Sequence, residues 1–594
     1  MKKLVPVILC LAFVFTACSK QAEENTTSRV QTTQTSVSSS SNMFSDRDYD
    51  DSYDENNCVL IKLNGDTVQC SDASVTIDGS SVTVTQEKDY LVTGTLNDGM
   101  IIVDAPDTAK PRIILKDADI TSITSAPVYV RSADKLFITL AAGSSNSLLI
   151  SGEFKSIDEN NIDSVIFSKE DLTVNGAGSL KISSPSGKGI VSKDDLVFTG
   201  GVITADCSSH ILDANDSVRL DGVKLGGTAG KDVIHCENSD DTSLGFVYSK
   251  SCDITADAQS NGISAGAYIL LDGGSFNFVC GGGSENGEDK SQNQGFGGRG
   301  DRNAPPNQQA TVQESSETDD DSSVDTKGVK AEGDITLNNC TITADSADDC
   351  IHSNGTVTVS GATLNLSSGD DAVHSDESLI VNNGNINVST SYEGLESLVI
   401  EIKGGELNIN ATDDGINSAG GKDESGFESM GNGGEQFGRP GKPGGIKNGE
   451  SAGSEGSIII SGGSIYVQAG GDGIDSNGSL KITGGSITVC GPNQGDTSIL
   501  DYDTEGIITG GTFIGTGGKS MAVSFSDSEQ GVVFVSLSGK SGDSVIIKDS
   551  KGNVIAQTKP ALNYDAAIIS APELEKGKSY SLTAGGSTVE VKAS

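Results

Sequence analysis

A six-residue signature returning on a fixed period constrains this chain more than any other feature. It reads Asp348-Asp349-Cys350-Ile351-His352-Ser353 and then Asp370-Asp371-Ala372-Val373-His374-Ser375. It continues as Tyr392-Glu393-Gly394-Leu395-Glu396-Ser397 and Asp413-Asp414-Gly415-Ile416-Asn417-Ser418, and returns after an insertion as Gly471-Asp472-Gly473-Ile474-Asp475-Ser476. The second residues of the first four copies lie 22, 22 and 21 positions apart. Lys327 stands 22 before Asp349, and Lys188, His210 and Asp232 form an earlier 22-residue series with Asn261 one longer turn on. Between signatures run alternating segments joined by Gly-Gly, such as Ile458-Ile459-Ile460-Ser461-Gly462-Gly463-Ser464-Ile465-Tyr466-Val467. Apolar residues at every second position mark half-buried strands. A unit this short cannot bury its apolar face alone, whereas successive turns stacked about 4.8 Å apart bury a continuous ladder. The expected fold is therefore all-β: a parallel β-helix of about 22 residues per rung. A leucine-rich repeat would demand Leu at fixed places, and a propeller blade about twice the period.

Composition fits that reading. The chain of 594 residues has 75 Gly, no Trp and only 5% aromatic residues. A solenoid tolerates this because its core is a thin column and its turns consume Gly, Asn and Asp. The formal charge is −43, with 83 acidic against 40 basic side chains. Such a chain cannot neutralise phosphates, so nucleic acid is excluded as a partner. Its self-repulsion makes divalent cations the natural compensation.

Domain organisation follows from the edges of the repeat. Lys2 and Lys3, the apolar run Leu4 to Phe15 and the box Thr16-Ala17-Cys18 read as a lipoprotein signal over 1–18, with Cys18 as the lipidated residue. Residues 19–58 read as a polar tether, expected to be disordered. An N-terminal cap and first rungs are expected over 59–150, and the helix over 151–515. Insertions at 281–323 and 420–456 lack periodicity and read as loops from one corner. A small β-sandwich-like domain is expected over 516–594. The nine cysteines beyond Cys18 have no paired spacing; Cys58 and Cys70 could bridge, and the others read as small core or turn residues. The product is expected to be extracytoplasmic, either lipid-anchored at the cell surface or secreted, meeting the membrane only through its anchor, and monomeric.

Stacking brings the same position of successive rungs into one line. The acidic column gathers Asp349, Asp371, Glu393, Asp414 and Asp472, with Asp348, Asp370 and Asp413 beside it. The column three residues on carries His235, His352, His374, Glu396, Asn417, Asp475 and Asp501. Bare carboxylates at such spacing repel. A hard cation taking six to eight oxygens answers this, and calcium suits an irregular oxygen cage better than magnesium. The expected metal ligands are Asp348, Asp349, Asp370, Asp371, Glu393, Asp413, Asp414, Asp472, Asp475 and Asp501, with Ca2+ as the cofactor. Asp and Asn at β-helix corners also hydrogen-bond turn backbone, but single residues would suffice for that. His352, His374, Tyr392 and Glu396 are the expected carbohydrate contacts, with the stacked histidines placed to cover a sugar or to serve as hydrogen-bond donors. No nucleophile motif, phosphate loop or dinucleotide fingerprint is present.

The rungs Asp348 to Ser353, Asp370 to Ser375 and Asp413 to Ser418, closed by Ile499-Leu500-Asp501-Tyr502-Asp503, resemble the clostridial carbohydrate-binding β-helix family, which is similar in fold to the family 9 pectate lyases. The resemblance covers roughly 59–594. It implies a right-handed parallel β-helix, bound calcium, and affinity for cellulose and acidic sugars. The lyase relatives use an Asp-Asp-x-x-Asp calcium pattern and a Lys base. In this chain the last ligand reads His352, His374 or Asn417, and the nearest lysines, Lys330 and Lys403, match no family base by position.

The leading reading is thus an extracellular protein that binds plant cell-wall or acidic polysaccharide through a calcium-loaded acidic face, calcium bridging carboxylate to uronate. The enzyme alternative is a calcium-dependent pectate lyase, which needs a neutral Lys facing the ions. A third reading is an adhesin whose stalk calcium only rigidifies.

Overall fold

The computed structural model describes residues 43–288, 325–419, 456–493, 495 and 497–594. The signal, Cys18, most of the tether and nearly all of both insertions lie outside the described residues.

Three short strands recur in each rung, and each pairs in parallel with its counterpart one rung on. Ile351–Ser353 pairs with Val329–Ala331 on one side and with the strand Val373–Thr390 on the other. Ile335–Asn338 and Thr341–Ser346 each pair with Thr356–Ser368. Alternation explains the stacking. In Thr341–Ser346 and Ser464–Gln468 every second side chain is buried. The inward column Ile234, Ile263, Val329, Ile351, Val373, Leu395, Ile416 and Ile474 has no more than a trace of exposure. Parallel rung pairing is present from the first strand, Val59–Gly65, which pairs with Asp89–Leu96. One corner shows why Gly is required: Gly485 has φ 92, and a Cβ there would press on the Gly462 carbonyl at 2.9 Å.

The helix ends where Thr512–Gly517 pairs in parallel with Ser486–Cys490 but antiparallel with Tyr564–Ser570. Val532–Gly539 adds to Tyr564–Ser570, and a separate four-stranded sheet runs Val554–Thr558, Val545–Lys548, Ser579–Ala584, Ser587–Lys592. Ile514, Val533 and Ile569 of the first layer share a core with Val545, Ile547 and Leu582 of the second. This is a two-layered β cap that closes the exposed strand edge.

Two expectations need correction. Residues 43–58, read as tether, pack along the helix. Met43 joins Tyr248 and Leu270 in an apolar cluster, and buried Asp48 meets Lys135 at 2.9 Å and accepts from the Thr173 hydroxyl at 2.7 Å. The segment reads as polar because its anchors are hydrogen bonds rather than a periodic apolar face. Cys58 and Cys70 are also unbridged, as are the seven other described cysteines.

Candidate cation-binding corner

The acidic column has a structural duty that explains its regularity. Asn261 N–H donates to Asp232 Oδ1 at 2.8 Å, and Lys327 N–H donates to Asn261 Oδ1 at 2.8 Å. Asp371 N–H donates to Asp349 Oδ1 at 3.0 Å, Glu393 N–H to Asp371 Oδ1 at 3.2 Å, and Asp472 N–H to Asp414 Oδ1 at 2.5 Å. Ser498 N–H continues the series onto Asp472. Each acceptor satisfies the buried N–H of its successor, which would otherwise cost about 1–3 kcal/mol unpaired. His210 performs the same task through Nδ1, toward Asp232 N–H at 3.3 Å. Lys327 has no acceptor, and there the pattern changes: Asp349 N–H turns instead to Asp348 Oδ1 at 2.9 Å.

One oxygen of each carboxylate thus belongs to the fold, and the second faces the neighbouring column. In the earlier rungs the carboxylates of this corner meet a cationic side chain. Lys188 Nζ lies 3.1 Å from Asp163 and 2.7 Å from Asp213, and His235 Nδ1 lies 3.0 Å from Asp232. Lys327 Nζ lies 2.8 Å from Asp348 Oδ2 and 3.0 Å from Asp349 Oδ2. Burial opposes charge on this ammonium, yet Asp349 and Asp348 hold it well above the usual lysine value. Asp349, although fully buried, is held low by the same Lys327.

The stacked histidines correct another expectation. Their rings lie 4.9 Å apart with 9° between planes, but His352 and His374 are 7% and 2% exposed, so neither can cover a sugar. His352 Nδ1 faces Asp349 Oδ2 at 2.8 Å and its Nε2 faces Asn354 Oδ1 at 3.1 Å, the amide oriented by its own bond to Glu332. His374 Nδ1 lies 2.8 Å from Glu396 and 3.4 Å from Asp371, with Nε2 3.2 Å from Asp376. Burial works against charge on His374, but the carboxylates of Asp371, Asp376 and Glu396 raise it well above the ordinary imidazole value. The rings serve as internal partners of carboxylates. Glu396, expected to touch sugar, is tied to His374, and half-buried Tyr392 lies against Asp413, whose charge helps burial hold the phenol protonated.

The later rungs differ. Among the described residues no Lys, Arg or His reaches ion-pair distance of Glu393, Asp413, Asp414, Asp472, Asp475 or Asp501. Asp472, Asp475 and Asp501 each bring an oxygen within 4.8 Å of the others. Burial, with Asp413, Asp472 and Asp475 nearby, pushes the Asp414 carboxyl up to about 8. Burial and Asp501 push Asp472 to about 6, and burial with Asp472 and Asp501 does the same for Asp475.

Three features make this segment fit a hard cation. Its donors are all oxygen, as calcium prefers. Buried Asn417 donates through Nδ2 to Glu393 at 2.8 Å, while its Oδ1 is buried without a hydrogen-bond partner among the described residues. Gly471 lets Asp414 Oδ1 and Asp413 Oδ1 converge on its backbone, to within 2.3 and 2.4 Å of where a Cβ would stand. Asn417 and Gly471 were not among the expected site residues. Asn417 was legible as a column member, whereas the close approach of the carboxylates to Gly471 depends on the packing of adjacent rungs.

No described lysine of this corner is placed as a free base. Lys327 is clamped as above, and Lys330 is paired with Asp325 and lies 3.7 Å from Glu332. Lys403, at another corner, pairs with Glu401 at 2.8 Å.

Fold and corner together define a parallel β-helix with an acidic, cation-suited edge. Residues 78–372 match a family model described as carbohydrate-binding domain-containing protein. A protein of that description from Acetivibrio thermocellus is 34% identical over 145 residues, which is 24% of this chain and 49% of the relative. This chain therefore spans about half the length of the curated relative it matches. A solved structure described as the polysaccharide lyase-like protein from C. thermocellum, gadolinium derivative, is 29% identical, covering 37% of this chain and 90% of that one with a TM-score of 0.35.

Proposed function

We propose that this chain is an extracytoplasmic, lipid-anchored, monomeric carbohydrate-binding protein. In this reading its later rungs hold calcium, and the ion bridges protein carboxylates to the carboxylates of an acidic polysaccharide. The observation that carries the reading is the oxygen cluster of Asp472, Asp475 and Asp501, with the unpartnered Asn417 Oδ1 on the residue paired with Asp475 and no cationic partner among the described residues. A protein of net charge −43 needs a cation between itself and a uronate chain. The matched family and the A. thermocellus relative support carbohydrate as the ligand class. Calcium, when bound, supplies positive charge for uronate oxygens. The chain's own residues supply the cage, and Asp414 and Asp472 keep its rungs in register through their Oδ1 atoms.

The test is co-sedimentation of the purified protein with insoluble polygalacturonate and with cellulose, in calcium and then in chelator. Pelleting with polygalacturonate in calcium alone is expected, and Asp472→Asn with Asp475→Asn should abolish it. Retention unaffected by chelator would remove calcium from the account. Release of unsaturated oligouronides would move the protein to the lyases.

A further inference from the structure

Sequence spacing alone makes Asp348, Asp349 and Asp370 a metal site equivalent to the later rungs, and their oxygens do lie within 4.8 Å of one another. The structure seats a different cation there. Lys327 occupies the column position one rung before Asp349 and extends its ammonium onto Asp348 and Asp349 at 2.8 and 3.0 Å, with only 6% of its side chain exposed. An ammonium donating to two carboxylates at hydrogen-bond distance fills the place a divalent ion would take. The exchange is built into the backbone as well. The Lys side chain cannot accept the N–H of Asp349, and Asp348 Oδ1 takes that bond instead, turning the doubled aspartate toward the ammonium. The next two rungs carry His352 against Asp349 and His374 against Glu396, Asp376 and Asp371.

We infer that Lys327 is the resident cation of its rung, an internal substitute for a divalent ion, so that the Asp348–Asp349–Asp370 group takes no metal while the ammonium is present. The acidic corner then has two kinds of rung. Those from Lys327 to His374 carry their own positive charge and need nothing from solvent. Those from Asp413 to Asp501 carry none among the described residues and draw a cation from outside. This rests on the reading of the later rungs as cation-holding, and it confines calcium-dependent glycan capture to the C-terminal part of the helix. Lys327 thereby acts as a specificity-determining residue, setting where along a repeated acidic edge metal can enter.

The experiment is a count of calcium ions bound per chain, by calorimetry and by equilibrium dialysis, for the native protein and three variants. Asp475→Asn should lower the count. Asp348→Asn, which keeps the acceptor for Asp349 N–H, should leave it unchanged. Lys327→Met should raise it by one, because the vacated group then offers three carboxylates to a solvent ion. Lys327→Gln serves if the Met variant does not fold. A native count lowered by Asp348→Asn would overturn the inference, as would a folded Lys327 variant that gains no ion. Should the native protein bind no calcium while Lys327→Met binds one, the assignment of Lys327 stands and the calcium reading of the later rungs falls.

Discussion

Asp349 Oδ1 accepts the backbone N–H of Asp371, one rung on, at 3.0 Å, while its Oδ2 faces Lys327 and His352. The same carboxylate therefore holds the register of the helix with one atom and carries charge chemistry with the other. This double use explains how an acidic column persists through a core-like corner: the fold needs an acceptor at each rung, and the counter-charge differs from rung to rung.

Replacing Asp349 separates the two duties. Asp349→Ala removes the acceptor for Asp371 N–H and weakens the clamp on Lys327, with an expected loss of about 3–5 kcal/mol, the range for breaking a buried pair. Asp349→Asn retains an Oδ1 acceptor and is expected to lose clearly less. Denaturant midpoints of the two variants report the difference, and equal losses would mean that the cross-rung hydrogen bond contributes nothing.

In chelator, stability is expected to fall as pH rises. The carboxyls of Asp472 and Asp475 sit near about 6 and that of Asp414 near about 8, all above the ordinary aspartate value of about 3.9. Folded-state values raised in this way make the protonated forms favourable. Their stabilisation is fully present below about pH 4 and is lost progressively as pH climbs through 6 and 8. Calcium favours the ionised forms, so its increment in melting temperature should grow over the same window. Thermal melts at pH 5, 7 and 8.5 with calcium and with chelator check this, and a calcium increment independent of pH would exclude these three groups as ligands.

Gly471→Ala, at a backbone conformation that Ala can adopt, would put a methyl 2.3 and 2.4 Å from the present positions of Asp414 Oδ1 and Asp413 Oδ1 and so drive these carboxylates out of place. Calcium affinity should fall about tenfold, about 1.4 kcal/mol, with the circular dichroism spectrum retained. Unchanged affinity in titration calorimetry would place the ion away from Asp413 and Asp414.

The N-terminal strap should loosen when its buried anchor is removed. Asp48 is held near about 2, burial opposing its charge but Ser45 N–H, Thr173 and Lys135 prevailing. Asp48→Ala leaves Lys135, only 12% exposed in its side chain, without that partner. A loss of about 3 kcal/mol is expected, at the low end for an unpaired buried charge, seen as faster amide exchange over residues 43–50. Exchange at the native rate would show that Met43 and Phe44 suffice to hold the segment.

Much of this architecture was legible before any coordinates. The 22-residue return of Asp349, Asp371 and Glu393 reflects one rung of β-helix, because stacking at strand spacing demands the same side chain in the same place each turn. The β cap announced itself by the end of that period. The strap over residues 43–58 was not legible, since Asp48, Tyr49 and Arg47 attach it through single long-range polar bonds that leave no periodic trace. His352 and His374 were placed in the right column with sugar contact and hydrogen bonding both open, because position along a rung does not report burial.

By itself, the sequence determined the repeat, the columns and the excess of carboxylate, since period and composition are local properties of the chain. Only the tertiary structure decided which carboxylates already possess a cation. That outcome depends on whether the ammonium of Lys327 reaches across one rung to Asp349, whether His374 lies between Asp376 and Glu396, and whether Asn417 Oδ1 is left unpartnered beside Asp475. Charge interactions in a buried corner are set by distances of a few ångströms and by the loss of water around them. Neither is written in the order of the residues.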